Sequence, residues 1–436
     1  METPRNDAPP AHASPSFPQI VSVFGKIGLL SFGGPAAQIA LMHRVLVDEQ
    51  RWLDERRFLS ALSFCMLLPG PEAMQLATYA GWRLHGVRGG LAAGLLFVLP
   101  GALLVLALSM LYGAFGQTQT VAALFVGVKA AVLAIVLQAL VRVANRAIKG
   151  RLDWTVAAAA FVAIFFLNLP FPLVIAAAAA AGYFLRGNEA GTPAIQAVAP
   201  VPLADVLRTL VIWLAVWIVP LLGVAAIFGP DHVLAQLAVF FSKLAVVTFG
   251  GAYAVLAYMA QEVVSGYGWL TAGEMLDGLG LAETTNGPLI LVTEFVGYIA
   301  ALRQGGVGIG ILGALVTLWA TFAPCFLWIF VGAPYIERLT HAPRLASALR
   351  TVTAAVVGVI ANLSLWFALH VLFARVDEVH AGPMRLFVPD LASLDPVALV
   401  LSALALVLIF ALRWSIVATL GLCGAIALMW LGLVPG

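Results

Sequence analysis

The feature that most constrains this chain is a succession of apolar runs long enough to cross a bilayer. A spanning helix needs about 20 apolar residues. Runs of that order lie near 90–112, 119–141, 153–169 and 171–186, then at 205–228, 307–332, 346–374, 396–412 and 414–434. The pair at 153–169 and 171–186 is joined by Asn168-Leu-Pro170, and each member is short. Hydrophobic residues make up 62% of the 436 and charged ones 10%, against about 25% charged in a soluble domain. So much apolar surface needs the lipid bilayer as its partner and solvent. In lipid the backbone must satisfy itself within helices or closed barrels. The runs are helix-length, so an all-α polytopic membrane protein is expected.

What remains excludes several classes. A net charge of +2 leaves no nucleic-acid footprint. Cys65, Cys325 and Cys423 fall inside apolar segments, with neither metal-ligand nor disulfide spacing. No phosphate-cradling G-x-x-x-x-G-K-[ST] loop is present, which argues against an ATP-driven pump. No cofactor or metal is expected. Residues 1–16 are polar and Pro-rich and read as a disordered cytoplasmic tail rather than a signal peptide.

The chain holds two copies of one unit. Residues 24–71 align with 241–288 without a gap. Phe24, Lys26, Phe32, Gly33, Gly34, Trp52, Leu53, Gly70 and Pro71 meet Phe241, Lys243, Phe249, Gly250, Gly251, Trp269, Leu270, Gly287 and Pro288. A first repeat is expected over 17–186 and a linker over 187–204. An extra helix and the second repeat fill 205–436.

Four further apolar segments are interrupted. They are 18–46 (at Gly33-Gly34-Pro35), 58–82 (at Pro69-Gly70-Pro71), 237–260 (at Gly250-Gly251) and 274–300 (at Asn286-Gly287-Pro288). Glycine and proline break helices, and such breaks survive in a membrane only where protein or a wet cavity covers them. Arg44, Arg51, Arg56, Arg57, Arg83, Arg88, Arg142, Arg146, Lys149 and Arg151 all become cytoplasmic if the broken segments are re-entrant hairpins. In the second copy the corresponding Gln261–Glu274 loop carries no Lys or Arg. The extra helix at 205–228 gives an odd number of crossings between copies. Two inverted-topology repeats are therefore predicted, with the N-terminus cytoplasmic and the C-terminus periplasmic.

A half-helix that begins at such a break offers free N–H groups and a partial positive charge. Two such ends meeting in mid-membrane would form an anion site. The candidate substrate-binding residues are Lys26, Ser31, Gly33, Gly34, Pro69, Gly70, Pro71, Gln75, Lys243, Thr248, Gly250, Gly251, Asn286, Gly287 and Pro288. Ser31 and Thr248 would add hydroxyl donors, and Gln75 an amide. Lys26 and Lys243 would attract an anion; snorkelling to the interface is the alternative. Close helix packing is the alternative for the glycines. Glu72, Glu283 and Glu294 are candidates for proton coupling, while N-capping suits Glu72 and a structural ion pair suits Glu283. Lys129, deep in its span, is a candidate for charge compensation or an ion pair with Glu72. The Arg51 cluster would also draw anions from the cytoplasm.

These residues resemble the chromate ion transporters of the long-chain, two-domain type. The resemblance rests on Ser31-Phe-Gly-Gly-Pro-Ala-Ala-Gln38, Arg51-Trp-Leu53 and Met66-Leu-Leu-Pro-Gly-Pro-Glu-Ala-Met-Gln75 in the first copy. In the second it rests on Thr248-Phe-Gly-Gly-Ala-Tyr-Ala-Val255, Gly268-Trp-Leu270 and Glu283-Thr-Thr-Asn-Gly-Pro288. Asn286 departs from the family's usual proline. The resemblance implies efflux of chromate across the inner membrane, giving chromate resistance, with sulfate as a look-alike ligand. A sulfate or other oxyanion carrier is the nearest alternative. A membrane-embedded enzyme using Glu72, Glu283 and His85 or His43 is a more remote one. The sequence leaves a homo-oligomer open.

Overall fold

A computed structural model describes residues 15–185, 202–247, 249, 252–335 and 343–433. Most of the expected tail and most of the expected linker lie outside these residues. Helices dominate: α1 (Phe17–Leu30), α2 (Gly34–His43), α3 (Glu55–Cys65), α4 (Glu72–Phe115), α5 (Gln119–Ala147), α6 (Arg151–Phe165) and α7 (Phe171–Leu185). There follow α8 (Leu203–Phe228), α9 (Val233–Val247), α10 (Ala252–Gln261), α11 (Ala272–Thr284), α12 (Val292–Gly332) and α13 (Pro343–Leu372). A hairpin of β1 (Val376–Ala381) and β2 (Met384–Pro389) precedes α14 (Pro396–Leu406) and α15 (Ile416–Leu433). This is an all-α polytopic membrane protein with one small extramembrane hairpin.

A straight helix of the 44 residues of α4 would be about 66 Å long, roughly twice the bilayer core. Instead α4 reverses at His85-Gly86, where φ/ψ are −140°/32° and 60°/−151°. Its two arms pack so tightly that a Cβ on Gly81 would run into the Gly89 carbonyl, and one on Gly94 into Thr78. The second repeat does the same at Gly305-Gly306 (−149°/16° and 72°/−170°), where Gly297 packs on Gly313 and Thr317. Each long helix is thus a hairpin with a short first arm and a spanning second arm.

Contacts between the hairpins fix their directions. Gly101 lies midway between Val87 and Phe115 and touches Asn286 and Leu291, whereas Gly113 touches Tyr298 and Leu302. The first arm of α12 therefore rises towards the Phe115 end, away from the His85 turn. Its second arm returns, bringing Phe326 to Gly94 and Phe330 to Gly90. The His85-Gly86 and Gly305-Gly306 turns consequently lie at opposite ends of the bundle, and the repeats are inverted. The single crossing by α8 produces this inversion. Its Trp213 packs on the Phe326 and Phe330 rings, and the Trp319 indole donates to the Val216 and Trp217 carbonyls.

The first copy enters at the His85 end. Phe17 packs on the His85 ring, and His85 Nε2 donates to the Pro15 carbonyl at 2.6 Å. After the break the chain comes back to the same end, where Phe64 of α3 packs on Gly332. In the second copy the 262–271 loop meets Arg303 at the opposite end, through the Trp269 carbonyl and Glu274. The broken segments are re-entrant.

Among the described residues one local turn recurs four times, a feature absent from the sequence reading. The residue after a left-handed position donates to a carbonyl six residues back: Trp52 to Leu46, Leu169 to Ala163, Trp269 to Val263 and Trp414 to Leu408, each at 2.9 Å. The β-hairpin fills the acidic-leaning stretch between the apolar runs 346–374 and 396–412. Arg385 (4% exposed) anchors it to the end of α6, its amide donating to the Phe166 carbonyl and its guanidinium to that of Ile164.

Candidate functional site

The first break and the last meet in the middle of the bundle. Gly33 and Gly34 take φ of 86° and 77°, Gly70 117° and Gly287 93°. Such left-handed angles suit glycine, which has no Cβ to clash. The Gly287 amide donates to the Ser31 carbonyl at 2.8 Å. Gln38 Nε2 donates to the Gly287 carbonyl at 2.6 Å and to the Ser31 carbonyl at 3.3 Å. Asn286 Nδ2 reaches the Gly28 carbonyl at 3.3 Å. Gly101 makes this junction sterically feasible, because a Cβ there would strike the Asn286 carbonyl oxygen.

The Pro69-Gly70-Pro71 break is buried and sits against the opposite repeat. A Cβ on Gly70 would lie 2.8 Å from Gln75 Nε2 and 2.9 Å from Cys325 Sγ. Gln75 Nε2 donates to the Pro69 carbonyl at 2.7 Å, while its Oε1 is buried without a partner among the described residues. Thr248, Gly250 and Gly251, expected at the third break, lie outside the described residues.

Several expected side-chain roles change. The Ser31 hydroxyl donates to the Ile27 carbonyl at 2.6 Å, so Ser31 meets the second repeat through its carbonyl. Lys26 and Lys243 are exposed on α1 and α9, and the Lys243 ammonium stands 5.8 Å from the Tyr258 ring centroid. Lys129 pairs with Asp277 at 3.2 Å, not with Glu72, and the Tyr112 hydroxyl donates to the same carboxylate at 2.7 Å. Asp277 is buried on α11, so burial draws the Lys129 charge to it. Glu283 accepts from the Tyr253 hydroxyl at 2.8 Å, and Arg142 lies within electrostatic reach of both. Glu72 is half-buried and faces the charge of Arg146. Glu294 is 1% exposed, and its Oε2 has no hydrogen-bond partner among the described residues.

Gln38, Gly101, Tyr112, Tyr253 and Asp277 were not singled out as site residues in the sequence. Gln38 carried the best signal, a lone amide one turn into α2. Asp277 looked like an ordinary polar residue of α11, and its partners come from α4 and α5.

The re-entrant loop at the His85 end is dense in charge. His43 bonds Glu55 at 2.6 Å and faces Asp48 at 3.4 Å. Its bond to Glu55 is the main cause that raises its pKa. Arg44 pairs with Glu49 at 3.6 Å and Arg57 with Asp54 at 3.2 Å. Val47, Asp48, Arg51, Leu53 and Asp54 line a cavity of about 510 Å³. Among the described residues no cluster of His, Cys, Asp and Glu could hold a metal ion.

Comparison with known proteins gives a consistent answer. The family model described as "Chromate transporter" matches residues 18–183 and 235–429. A chromate transport protein of Pseudomonas aeruginosa is 36% identical over 389 residues, covering 87% of each chain. One of Cupriavidus metallidurans is 30% identical, covering 80% of this chain and 82% of its own. A probable chromate transport protein of Synechococcus elongatus is also 30% identical, over 80% and 84% respectively. No solved structure matches the chain.

Proposed function

The chain belongs to the chromate transporter family, and on that premise we propose that it carries chromate out of the cytoplasm across the inner membrane by alternating access, giving chromate resistance. The observation that carries this reading is the junction of Ser31, Gln38, Asn286 and Gly287 beside Gly101, halfway along a spanning helix. Half-helix starts there supply N–H donors and positive dipole ends without a full charge. That is the chemistry a tetrahedral dianion needs in a low-dielectric setting. Gly33, Gly34, Pro69, Gly70, Pro71, Gln75 and Pro288 shape the two tips, and Thr248, Gly250 and Gly251 complete the pattern in the second copy. Lys26 and Lys243 act from the exposed faces of their helices as long-range attraction.

The basic residues support the orientation. Arg83, Arg88, Arg142, Arg146 and the Arg51 loop lie at the His85 end, which by the positive-inside rule is cytoplasmic. The N-terminus is then cytoplasmic and the C-terminus periplasmic. A dianion leaving a negative-inside cell gains ~4.6 kcal/mol per 100 mV. In this reading Glu72, Glu283 and Glu294 exchange a proton as the anion passes. Lys129 compensates the Asp277 charge. Backbone donors read shape and charge, so sulfate is expected to compete.

Uptake of radiolabelled chromate by inside-out vesicles tests the proposal. Saturable uptake that rises with an inside-positive potential and falls with added sulfate is expected. Uptake no greater than that of vesicles lacking the protein would refute it.

A further inference from the structure

The four recurring turns place four residues in the left-handed region: Arg51 (φ 52°), Asn168 (49°), Gly268 (62°) and Arg413 (56°). Gly268 and Asn168 are residues that tolerate this conformation, and Asn168 further accepts from the Gln261 amide at 2.6 Å. Both belong to the Gly305 end. The two arginines belong to the His85 end: α14 starts beside Leu372, where the Asp395 amide donates to that carbonyl at 2.8 Å, and runs away from it. Arginine gains nothing from a left-handed backbone. An arginine where an equivalent turn of the same chain has glycine points from strain to function. Membrane orientation needs positive charge at this end, and Arg44, Arg56 and Arg57 supply it without strain.

What separates Arg51 from Arg413 is its setting. Arg51 lines the cavity of about 510 Å³ together with Val47, Asp48, Leu53 and Asp54. Every carboxylate around it is engaged elsewhere: Asp48 and Glu55 by His43, Glu49 by Arg44 and Asp54 by Arg57. Among the described residues Arg51 has no ion pair. A planar five-donor cation left free on a cavity wall matches a tetrahedral oxyanion in two-point geometry.

We propose that Arg51 is a specificity-determining capture residue, binding the tetrahedral dianion in the cavity at the mouth of the re-entrant loop before it reaches the mid-membrane junction. This rests on the oxyanion-carrier reading above. The strained backbone aims the guanidinium, so charge alone is insufficient.

Arg51→Gly removes the cation and leaves a turn that the second repeat already builds with Gly268, so the fold is expected to survive. Arg413→Gly makes the same change at the same end, away from the cavity. In inside-out vesicles, Arg51→Gly should raise KM for chromate about fivefold or more, with a smaller change in maximal rate, and Arg51→Lys should fall between. Arg413→Gly should leave KM within about twofold of the parent. Unchanged KM in Arg51→Gly, or an equal rise in Arg413→Gly, would overturn the assignment. Equilibrium binding of radiolabelled chromate to the purified protein separates the two claims. Weaker binding in Arg51→Gly supports capture even where flux is absent, and equal binding sinks it. A parent chain that neither binds nor moves chromate or sulfate instead contradicts the carrier reading and, with it, the ligand assigned to Arg51.

Discussion

The Gly287 amide donates to the Ser31 carbonyl at 2.8 Å, joining the last break of one repeat to the first break of the other. The bond lies at the level of Gly101, so two non-helical segments satisfy each other where no water need be present. An unmet backbone donor there would cost several kcal/mol. The junction therefore holds the repeats in register as well as marking the proposed path.

Gly101→Ala should break that register. The added Cβ meets backbone, which cannot swing aside, so a loss of roughly 1–3 kcal/mol is expected. Thermal unfolding in detergent measures it. Gly25→Ala is the control, since nothing lies within 4 Å of a Cβ there. Equal stability of the two variants would contradict the close approach.

Gln38→Leu keeps the side-chain size but removes the donor to the Gly287 and Ser31 carbonyls. Chromate uptake should fall about tenfold or more, with stability lowered by about 1–3 kcal/mol. Normal uptake at normal expression would detach Gln38 from the transport path.

Lys129 and Asp277 should behave as a unit. Lys129→Ala strands a carboxylate whose side chain is only 7% exposed. Breaking a buried pair costs about 3–5 kcal/mol, and the 26% exposure of Lys129 places this one at or below the lower end. The double replacement by alanine should be less harmful than Lys129→Ala alone. A double-mutant cycle that shows additivity would mean the pair carries no coupling.

His43 makes the loop fastening sensitive to pH. Its pKa is raised above 6.5, first by the hydrogen bond to Glu55. The stabilisation is therefore complete below the unfolded value and is lost as pH rises through the folded one. Protease cleavage of the Arg51 loop should increase across that neutral-to-alkaline window, and His43→Gln should flatten the dependence. Identical profiles would show that His43 does not hold the loop.

Much of the architecture was legible because its signals are local. Gly33-Gly34-Pro35 and Pro69-Gly70-Pro71 announce breaks by backbone chemistry alone, and the Arg clusters report sidedness. The gapless alignment of 24–71 with 241–288 revealed the duplication. The reversal at Gly305-Gly306 was legible as well, because Arg303-Gln304 and the two glycines separate the apolar segment 274–300 from the run at 307–332. Side-chain partners were the hardest to read. Lys129 was expected to compensate charge or to pair with Glu72, and its pairing with Asp277 depends on how α11 packs on α5. The Ser31 hydroxyl turned back on its own helix, a local alternative that serine often takes. The β-hairpin escaped because Val376–Pro389 mixes charge into its alternation.

The most direct test of an anion held at the breaks is alkylation of Ala37→Cys, in the exposed first turn of α2, with Cys65, Cys325 and Cys423 replaced. A water-soluble maleimide should label it, and saturating sulfate, or a brief pulse of chromate, should slow labelling severalfold. Labelling at the same rate with and without either anion would contradict the account.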